Sequence, residues 1–210
     1  MVTLYYSPGT ASMVVHWLLI ELGIAHELKL LDFDSKQQKS PEYLKLNPSG
    51  VVPTLVQDGQ VLTESAALVM HLADTHPEAK LAPPLGSMER ARYYQWMFYL
   101  SNAVQPNFRN WYYADESAGA ENAEATKQGA SRRLEVCFEN LDAHLAANGP
   151  YLLGERVSAA DFQLTMLMRW SRNLPKQAIA WPHLAHLATL MKARPSFKTL
   201  YAIENLSEWA

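Results

Sequence analysis

The sequence predicts an α/β domain followed by an all-helical domain. The first 80 residues alternate short β-branched or aromatic runs with apolar stretches at helical spacing, and long helical patterns fill the chain beyond residue 87. Between these parts, "HPEAKLAPPLGS" holds three prolines and one glycine without periodicity, which is typical of a linker. We therefore expect one domain over residues 1–80 and a second over residues 87–210.

The first domain has a strand, a turn and a helix at its start. "VTLYYS" predicts a strand, and "TASMVVHWLLIELG", which follows Pro8-Gly9, predicts a helix that Gly23 ends. "AHELKLLDF" alternates like a second strand, and "SPEYLKLNP" predicts a short helix. "ESAALVMHLADTHP" predicts a further helix that stops at Pro77.

A proline interrupts a predicted hairpin in "SGVVPTLVQDGQVLTES". Two strand-like runs flank Asp58-Gly59, a dipeptide typical of tight hairpin turns. Pro53 donates no ladder hydrogen bond, so it belongs at a strand start, an edge or a bend. A cis peptide bond before Pro53 explains such a bend. It would turn the backbone N–H and C=O of Val52 toward an extended, peptide-like ligand.

Beyond the linker, four stretches have helical periodicity and none has a comparable strand pattern. They are "MERARYYQWMFYLSNAV", "ATKQGASRRLEVCFENLDAHLAA", "AADFQLTMLMRWSRNL" and "WPHLAHLATLMKARPSF". "SAAD", from Ser158 to Asp161, resembles a capping box and indicates a helix start without chemistry. "ADESAGAENAEATKQGA" is small and polar, so we expect a mobile loop or a frayed helix start there.

Composition excludes several classes of function. The net charge is −3, which gives no electrostatic case for nucleic acid or an acidic membrane. Cys137 is the single cysteine, so it forms neither an internal disulfide nor a CxxC site, and we expect a cytoplasmic protein. The apolar stretch "MVVHWLLIELG" is short and includes His16 and Glu21, so we expect neither a signal peptide nor a membrane span. The histidines have no ligand partners at metal spacing, so we expect no metal site.

The motifs above together resemble the glutathione S-transferase superfamily over essentially the whole chain. "NPSGVVPTLVQDGQVLTESAALVMHLAD" and "GERVSAADFQLTML" are the most specific parts of this resemblance. It implies a thioredoxin-like first domain, a cis Pro53, and pairing of the Val52 backbone with the cysteinyl backbone of glutathione. "LYYSPG" and His16 are similar to the bacterial beta class, so the resemblance is to a bacterial, beta/theta-like member of the superfamily. Ala11, however, stands where the beta class has a cysteine.

The charged ends of glutathione have candidate partners in the first domain. Backbone N–H groups at a helix start, the Ser65 hydroxyl and the positive helix end can hold the γ-glutamyl carboxylate, while Glu64 faces the ammonium. The alternative is that Ser65 only caps its helix and Glu64 only favours the first turn. For the glycyl carboxylate, the resemblance implies Lys36 or Gln38, although "DSKQQKS" is also typical of a solvated loop.

Activation of the glutathione thiol requires a hydrogen-bond donor, because the thiolate is the nucleophile. Classes of the superfamily use either a tyrosine at the end of the first strand, which matches Tyr6, or a serine after the turn, which matches Thr10. Our first choice is Thr10, followed by Ser12 and Tyr6. The alternative is that Thr10 or Ser12 is only the N-cap of the helix.

The second domain provides candidates for the acceptor site. Four residues lie near the end of the aromatic helix or after Pro106, where the resemblance places an apolar pocket over the thiol: Asn102, Phe108, Trp111 and Tyr112. Tyr94 and Met97 are expected to belong to the core.

The resemblance therefore predicts a homodimeric transferase that adds glutathione to a small apolar electrophile, for example in detoxification. Two alternatives remain open at this point. One is a non-catalytic ligand-binding or protein-interaction protein of the same fold. The other is a glutathione-dependent disulfide or peroxide reductase.

Overall fold

The computed structural model of the chain describes residues 1–209 and confirms the predicted fold class. A mixed sheet of four strands with helices forms the thioredoxin-like first part, and the second part is all-helical. The strands are β1 (Val2–Tyr6), β2 (His26–Leu30), β3 (Thr54–Gln57) and β4 (Gln60–Thr63). Their order is β2-β1-β3-β4. β1 pairs with β2 in parallel, and the other two pairs are antiparallel.

Three helices follow the strands of the sheet: α1 (Met13–Glu21), α2 (Pro41–Leu44) and α3 (Ser65–Thr75). Every residue of α1 from Met13 to Leu19 is buried, so this helix is a central part of the core. As predicted, Gly23 follows the end of α1, with φ at +65° in the left-handed region that favours glycine. Removal of so much apolar surface from water is the main force that holds α1 in place.

Asp58-Gly59 forms the predicted tight turn between β3 and β4. The φ angles of Asp58 and Gly59 are +50° and +79°, as a two-residue hairpin requires. The turn fixes the register, in which Gln57 lies opposite Gln60 and Thr54 opposite Thr63. β3 therefore begins directly after Pro53.

The helical part begins with α4 (Met88–Tyr99), which a π-helical turn (Leu100–Val104) joins to α5 (Gln105–Tyr112). The later helices are α6 (Ala114–Ala118), α7 (Ala123–Asn148), α8 (Ala159–Trp170), α9 (Pro182–Lys192) and α10 (Pro195–Ile203). Where we expected a mobile loop or a frayed helix start, the chain forms α6, a short 3-10 turn and the beginning of α7. The reason is that Ala114, Ala130 and Leu134 are buried and hold these turns against the helical core.

The chain divides into two compact units. Residues 1–82 and 192–208 form the first unit, and residues 83–191 with Trp209 form the second. The sequence-based boundary put α10 in the helical domain, whereas its contacts lie with α1: Trp17 Nε1 donates to Ser196 Oγ at 2.8 Å, and the Phe197 ring lies 5.1 Å from the Trp17 ring. Helical periodicity predicts α10 itself but does not report which element it packs against.

The predicted capping box starts α8 in the second unit. Asp161 accepts hydrogen bonds from the N–H groups of Ser158, at 2.7 Å, and Leu152, at 2.8 Å. Complete burial nevertheless raises the pKa of the Asp161 carboxyl to about 6. Within residues 1–209, no helix has both the length and the apolar character to cross a membrane.

Candidate active site

Three segments of the first unit leave the sheet at the same end. Tyr5 of β1 lies opposite Thr54 of β3, and Thr54 lies opposite Thr63 of β4. Neighbouring strands are separated by about 4.8 Å. The turn after β1, the cis-proline segment before β3 and the start of α3 after β4 therefore meet at the carboxyl end of β1. β2 runs parallel to β1, so the loop that follows it begins at this end too.

The Val52–Pro53 peptide bond is cis, as predicted. The neighbouring carbonyl of Val51 is already engaged, because Tyr43 Oη donates to it at 2.7 Å and Asn47 Nδ2 at 2.9 Å. The Val52 side chain is buried, but its backbone N–H and C=O make no hydrogen bond within residues 1–209. Val52 therefore offers one donor and one acceptor for pairing with an extended ligand.

Glu64 and Ser65 lie at the start of α3, where Glu64 has an unusual backbone conformation. Glu64 has φ at +70° although it is not glycine, and its exposed side chain makes no capping hydrogen bond. Ser65 is the first residue of the helix, not the residue before it, so the structure does not support a simple N-cap role for Ser65. Strained residues of this kind cluster at ligand sites, and a helix start favours anions.

The loop after β2 carries Lys36 and Gln38. Lys36 is exposed, with φ at +56°. Gln38 Oε1 is buried and has no hydrogen-bond partner within residues 1–209. The loop lies close to Gly50, since a Cβ on Gly50 would stand 2.9 Å from the Gln38 carbonyl oxygen. Only glycine permits this approach, which brings the loop next to the cis-proline segment.

The hydroxyl groups of Thr10 and Ser12 form one network with the backbone of Ser7. Thr10 Oγ1 donates to the Ser7 carbonyl at 2.7 Å, and Ser12 Oγ lies 3.1 Å from the same oxygen. The two hydroxyl oxygens are 2.9 Å apart, and the Ser7 N–H donates to Ser12 Oγ at 3.2 Å. Each hydroxyl has one proton. Because three contacts share the two protons, Ser12 can bond the Ser7 carbonyl whenever Thr10 donates elsewhere.

The two hydroxyls differ in their exposure to solvent. Ser12 is completely buried and its side chain does not cap α1, whereas Thr10 is partly exposed. Only Thr10 of the pair can reach a bound ligand. Tyr6 is also partly exposed, and burial together with the nearby charge of Glu204 raises the pKa of its hydroxyl.

Glu204 is a residue of this site that sequence reasoning missed. It follows α10, and one of its carboxylate oxygens accepts from the Gly9 N–H at 2.8 Å while the other lies 2.7 Å from His16 Nδ1. A histidine inside the apolar run "MVVHWLL" signals a buried polar partner. Nothing in the sequence identifies a residue 188 positions away as that partner.

The four predicted acceptor residues have different environments in the helical unit. Asn102 lines an open cleft. Phe108 is completely buried between the rings of Phe138 and Trp170, so it belongs to the core and not to an exposed wall. The Trp111 ring lies under Lys127 Nζ, and Tyr112 Oη donates to the Trp170 carbonyl at 2.7 Å.

Across residues 1–209, no group of three or more His, Cys, Asp or Glu side chains is arranged to hold a metal ion. The end of the sheet presents hydroxyl groups, backbone N–H groups and a helix N-terminus.

Comparisons with known proteins agree with this arrangement. Two family descriptions match the chain: "Glutathione S-transferase, N-terminal domain" over residues 4–80 and "Glutathione S-transferase, C-terminal domain" over residues 102–202. Glutathione S-transferase GST-4.5 of Xanthomonas campestris pv. campestris is 31% identical over 174 residues, which cover 81% of this chain and 82% of that protein.

Two solved structures have the same fold. A glutathione transferase from Methylococcus capsulatus is 33% identical with a TM-score of 0.87, and the match covers 98% of this chain and 99% of that one. A glutathione transferase homologue from Sulfitobacter, solved with bound glutathione, is 27% identical with a TM-score of 0.90, covering 97% and 98%. With both halves matched and the cis-proline segment in place, the chain belongs to the glutathione S-transferase family and is an enzyme of that class.

Proposed function

We propose that the Thr10 hydroxyl activates the thiol of glutathione, which the enzyme then adds to a small, largely apolar electrophile. One observation carries this proposal: Thr10 is the partly exposed member of a hydroxyl network at the same end of the sheet as the unpaired backbone of Val52. Glutathione paired with Val52 would present its central thiol toward the turn that contains Thr10.

Glutathione is held by its backbone and by both of its charged ends. Val52 pairs with the cysteinyl N–H and C=O, and the cis Pro53 keeps this edge open. The γ-glutamyl carboxylate lies at the start of α3 near Ser65, and Glu64 meets the ammonium. The glycyl carboxylate lies near the loop after β2, where Lys36 supplies charge and Gln38 supplies an amide.

The thiol of glutathione is mostly protonated at neutral pH, because a free thiol has a pKa of about 8.5. A donated hydrogen bond favours the charged form and lowers that pKa. The Thr10 hydroxyl provides the donor, and the nearby start of α1 adds a favourable dipole. Ser12 acts behind Thr10: it bonds the Ser7 carbonyl when Thr10 turns its proton to the sulfur. Tyr6 is the remaining candidate donor.

The reaction follows from this arrangement. The thiol proton passes to solvent, the thiolate forms a carbon–sulfur bond with the electrophile, and the leaving group departs with the electron pair of the bond that breaks. The enzyme supplies a positioned nucleophile, and the acceptor supplies the reactivity. Ala11 carries no thiol, so this position cannot form the mixed disulfide with glutathione that a cysteine here would allow.

The acceptor and the assembly complete the proposal. Asn102, Trp111 and Tyr112 in the helical unit are the candidate acceptor contacts, and Phe108 supports them from the core. We place the enzyme in the cytoplasm. We also propose that it is a homodimer, since twofold assemblies are the commonest oligomers and large apolar side chains such as Phe98 and Val136 are exposed. No observation favours a non-catalytic protein or a reductase.

A titration with glutathione tests the proposal. Thiolate absorbance should rise on binding at neutral pH, and conjugation to an aryl halide should follow at a rate that depends on the same ionisation. Binding without thiolate absorbance would leave a glutathione-binding protein without activation and would refute the proposed role of Thr10.

A further inference from the structure

The backbone carbonyl of Val51 is held by two buried side chains of the first unit. Tyr43 Oη donates to it at 2.7 Å, and Asn47 Nδ2 donates to it at 2.9 Å. Tyr43 and Asn47 are each only 3% exposed, whereas Val51 is exposed. A carbonyl oxygen has two lone pairs, so the two donors saturate this acceptor. Water satisfies the carbonyl of an exposed residue as well, so the particular effect of the buried donors is to fix its direction.

The hydrogen bonds around this carbonyl have a defined direction. Thr54 Oγ1 lies 2.7 Å from Tyr43 Oη and 3.2 Å from Asn47 Nδ2. Because the single proton of the Tyr43 hydroxyl points to the Val51 carbonyl, Thr54 donates to Tyr43 and accepts from Asn47. Burial raises the pKa of the Tyr43 hydroxyl, so this group keeps its proton at a pH where a thiol ionises.

Both donors are fixed by their own contacts. The Tyr43 ring belongs to the same buried cluster as the Val52 side chain, and the Tyr43 N–H donates to Ser40 Oγ at the start of α2. The Asn47 N–H donates to the Tyr43 carbonyl at 2.9 Å, and Asn47 Oδ1 accepts from the Ser49 N–H at 3.1 Å. The two side chains are therefore in place before any ligand binds.

The Val51 carbonyl and the Val52 N–H belong to one peptide unit. This unit is trans, since the two cis peptide bonds within residues 1–209 lie elsewhere. A trans peptide unit is planar, and its C=O and N–H point to opposite sides. A carbonyl directed at Tyr43 and Asn47 therefore directs the Val52 N–H away from them. This N–H has no acceptor within residues 1–209.

We propose that Tyr43 and Asn47 are positioning residues for glutathione, which fix the Val52 N–H in the direction of the cysteinyl carbonyl of the ligand. The proposal rests on the proposed function, in which Val52 pairs with this part of glutathione. The two side chains act through the peptide unit and not by contact with the ligand. A donor that is already oriented loses little freedom on binding, so the ligand binds more tightly.

Two truncated forms of glutathione isolate the cysteinyl carbonyl. γ-Glutamylcysteinamide retains this carbonyl in a terminal amide, and γ-glutamylcysteamine has a hydrogen atom in place of the whole carboxamide. Both compounds retain the γ-glutamyl group, its amide N–H and the thiol, and both lack glycine. The ratio of their Kd values therefore reports recognition of the carboxamide. Calorimetric titration in competition with glutathione measures each Kd.

Tyr43→Phe keeps the buried ring and removes the hydroxyl donor. The parent should bind the cysteinamide more tightly than the cysteamine. In the variant, glutathione and the cysteinamide should each bind about three- to tenfold more weakly, and the affinity for the cysteamine should change by less than about twofold. Asn47→Ala removes the other donor and should give the same selective loss. The second variant keeps the test decisive if melting shows that the first is unfolded.

Tyr201→Phe is the matched control. Tyr201 is buried in the first unit, and its Oη donates to the Glu208 carbonyl at 3.2 Å. The variant therefore also removes a tyrosine hydroxyl from a backbone carbonyl, at a position outside the candidate site. It should bind all three compounds like the parent.

Equal losses of affinity for the cysteinamide and the cysteamine in Tyr43→Phe and Asn47→Ala would overturn the positioning role, because general damage to the site does not depend on one carbonyl of the ligand. Unchanged affinities in both variants would overturn it as well. A parent that binds no glutathione, or binds both truncated compounds equally, would refute the pairing at Val52 together with the positioning role. Absence of thiolate absorbance would instead refute the role of Thr10, and the Kd comparison would still decide the positioning role.

Discussion

His16 Nδ1 lies 2.7 Å from Glu204 Oε1, and both side chains are completely buried. The second carboxylate oxygen of Glu204 accepts from the Gly9 N–H, so the residue after α10 is tied both to α1 and to the turn that carries Thr10. The geometry of the turn that carries Thr10 therefore depends on a segment near the other end of the sequence.

Replacement of Glu204 by Ala should reduce the free energy of unfolding by about 3–5 kcal/mol, because it removes the carboxylate that the completely buried His16 contacts and that accepts from the Gly9 N–H. Urea unfolding of the purified variant measures this loss. Glu78→Ala serves as control, since Glu78 is an exposed carboxylate of the same unit and should change stability by at most about 0.5 kcal/mol. Equal losses in the two variants would mean that the buried pair is not a main stabilising contact.

The capping carboxylate of Asp161 should make stability depend on pH in an unusual direction. Burial raises the pKa of Asp161 from the ordinary 3.8 to about 6. The folded chain therefore holds this proton more tightly than the unfolded chain, so the contribution of the group is largest at low pH and is lost as pH rises from about 4 to about 6. The change amounts to at most about 3 kcal/mol.

Asp161→Asn has no ionisable group at this position, so it provides the comparison. The free energy of unfolding of the parent, minus that of the variant, should decrease between about pH 4 and about pH 6 and stay constant above. A difference that grows with pH over this range would show that the hydrogen bonds from Leu152 and Ser158 outweigh the cost of burial.

Replacement of both Glu64 and Ser65 by Ala should weaken glutathione binding by clearly more than the roughly 1 kcal/mol of a lost helix cap. In the proposed binding mode, the γ-glutamyl ammonium loses the Glu64 carboxylate and the γ-glutamyl carboxylate loses the Ser65 hydroxyl. Calorimetry measures the Kd, and circular dichroism checks that the helical content is retained.

The start of α4 offers a matched control for this pair. Ser87 accepts from the Arg90 N–H at 3.1 Å and Glu89 lies in the first turn, so Ser87→Ala with Glu89→Ala removes the same residue types from another helix start. The control should bind glutathione like the parent. If the Glu64/Ser65 variant does so too, that pair serves only the helix.

The enzyme should sediment as a dimer at micromolar concentration, with twice the 23.7 kDa mass of one chain. This assembly would bury exposed apolar side chains, and their removal from water would stabilise it. Phe98→Asp introduces a charge at one such exposed position and should shift the sedimentation mass toward that of one chain. Leu85→Asp introduces the same charge at an exposed side chain of the linker and serves as the control. A parent protein that sediments as one chain would rule out the homodimer.

Local features of the fold were predictable from the sequence because their causes are local. Asp58-Gly59 determines its hairpin by backbone conformation, and Pro53 cannot stand inside a strand. The partner of His16 and the packing of α10 on α1 were not predictable, since burial of an apolar face does not specify which distant element covers it. The placement of Phe108 in the core was not predictable for the same reason, because an aromatic residue on an amphipathic helix fits a pocket wall or a core equally well.

The candidate site was predictable where its segments are close in the sequence. The cis Pro53 bond and the Glu64-Ser65 helix start lie on consecutive elements, and sheet register brings them together. The hydroxyl network did not follow from the sequence, because hydrogen bonds among Ser7, Thr10 and Ser12 depend on the turn geometry. The roles of these residues in catalysis stay predictions.

The hydroxyl network predicts different effects for its two members. Thr10→Ala removes the proposed thiol donor, and Ser12→Ala removes the group that would replace Thr10 at the Ser7 carbonyl. Ser12→Ala should therefore raise the bound thiol's pKa by about half to one unit in the parent and by nothing further in the Thr10→Ala background. Ser196→Ala, another buried serine of the first unit, should affect stability and leave the thiol pKa unchanged.

The most direct test is the pKa of the enzyme-bound glutathione thiol, measured by thiolate absorbance across a pH titration of the parent and Thr10→Ala. A hydrogen bond to a charged group contributes about 1.5–3 kcal/mol, and one pKa unit corresponds to about 1.36 kcal/mol. Thr10→Ala should therefore raise the bound thiol's pKa by about one to two units while glutathione affinity changes less. An unchanged pKa in Thr10→Ala, or a larger shift in Tyr6→Phe, would show that Thr10 is not the donor.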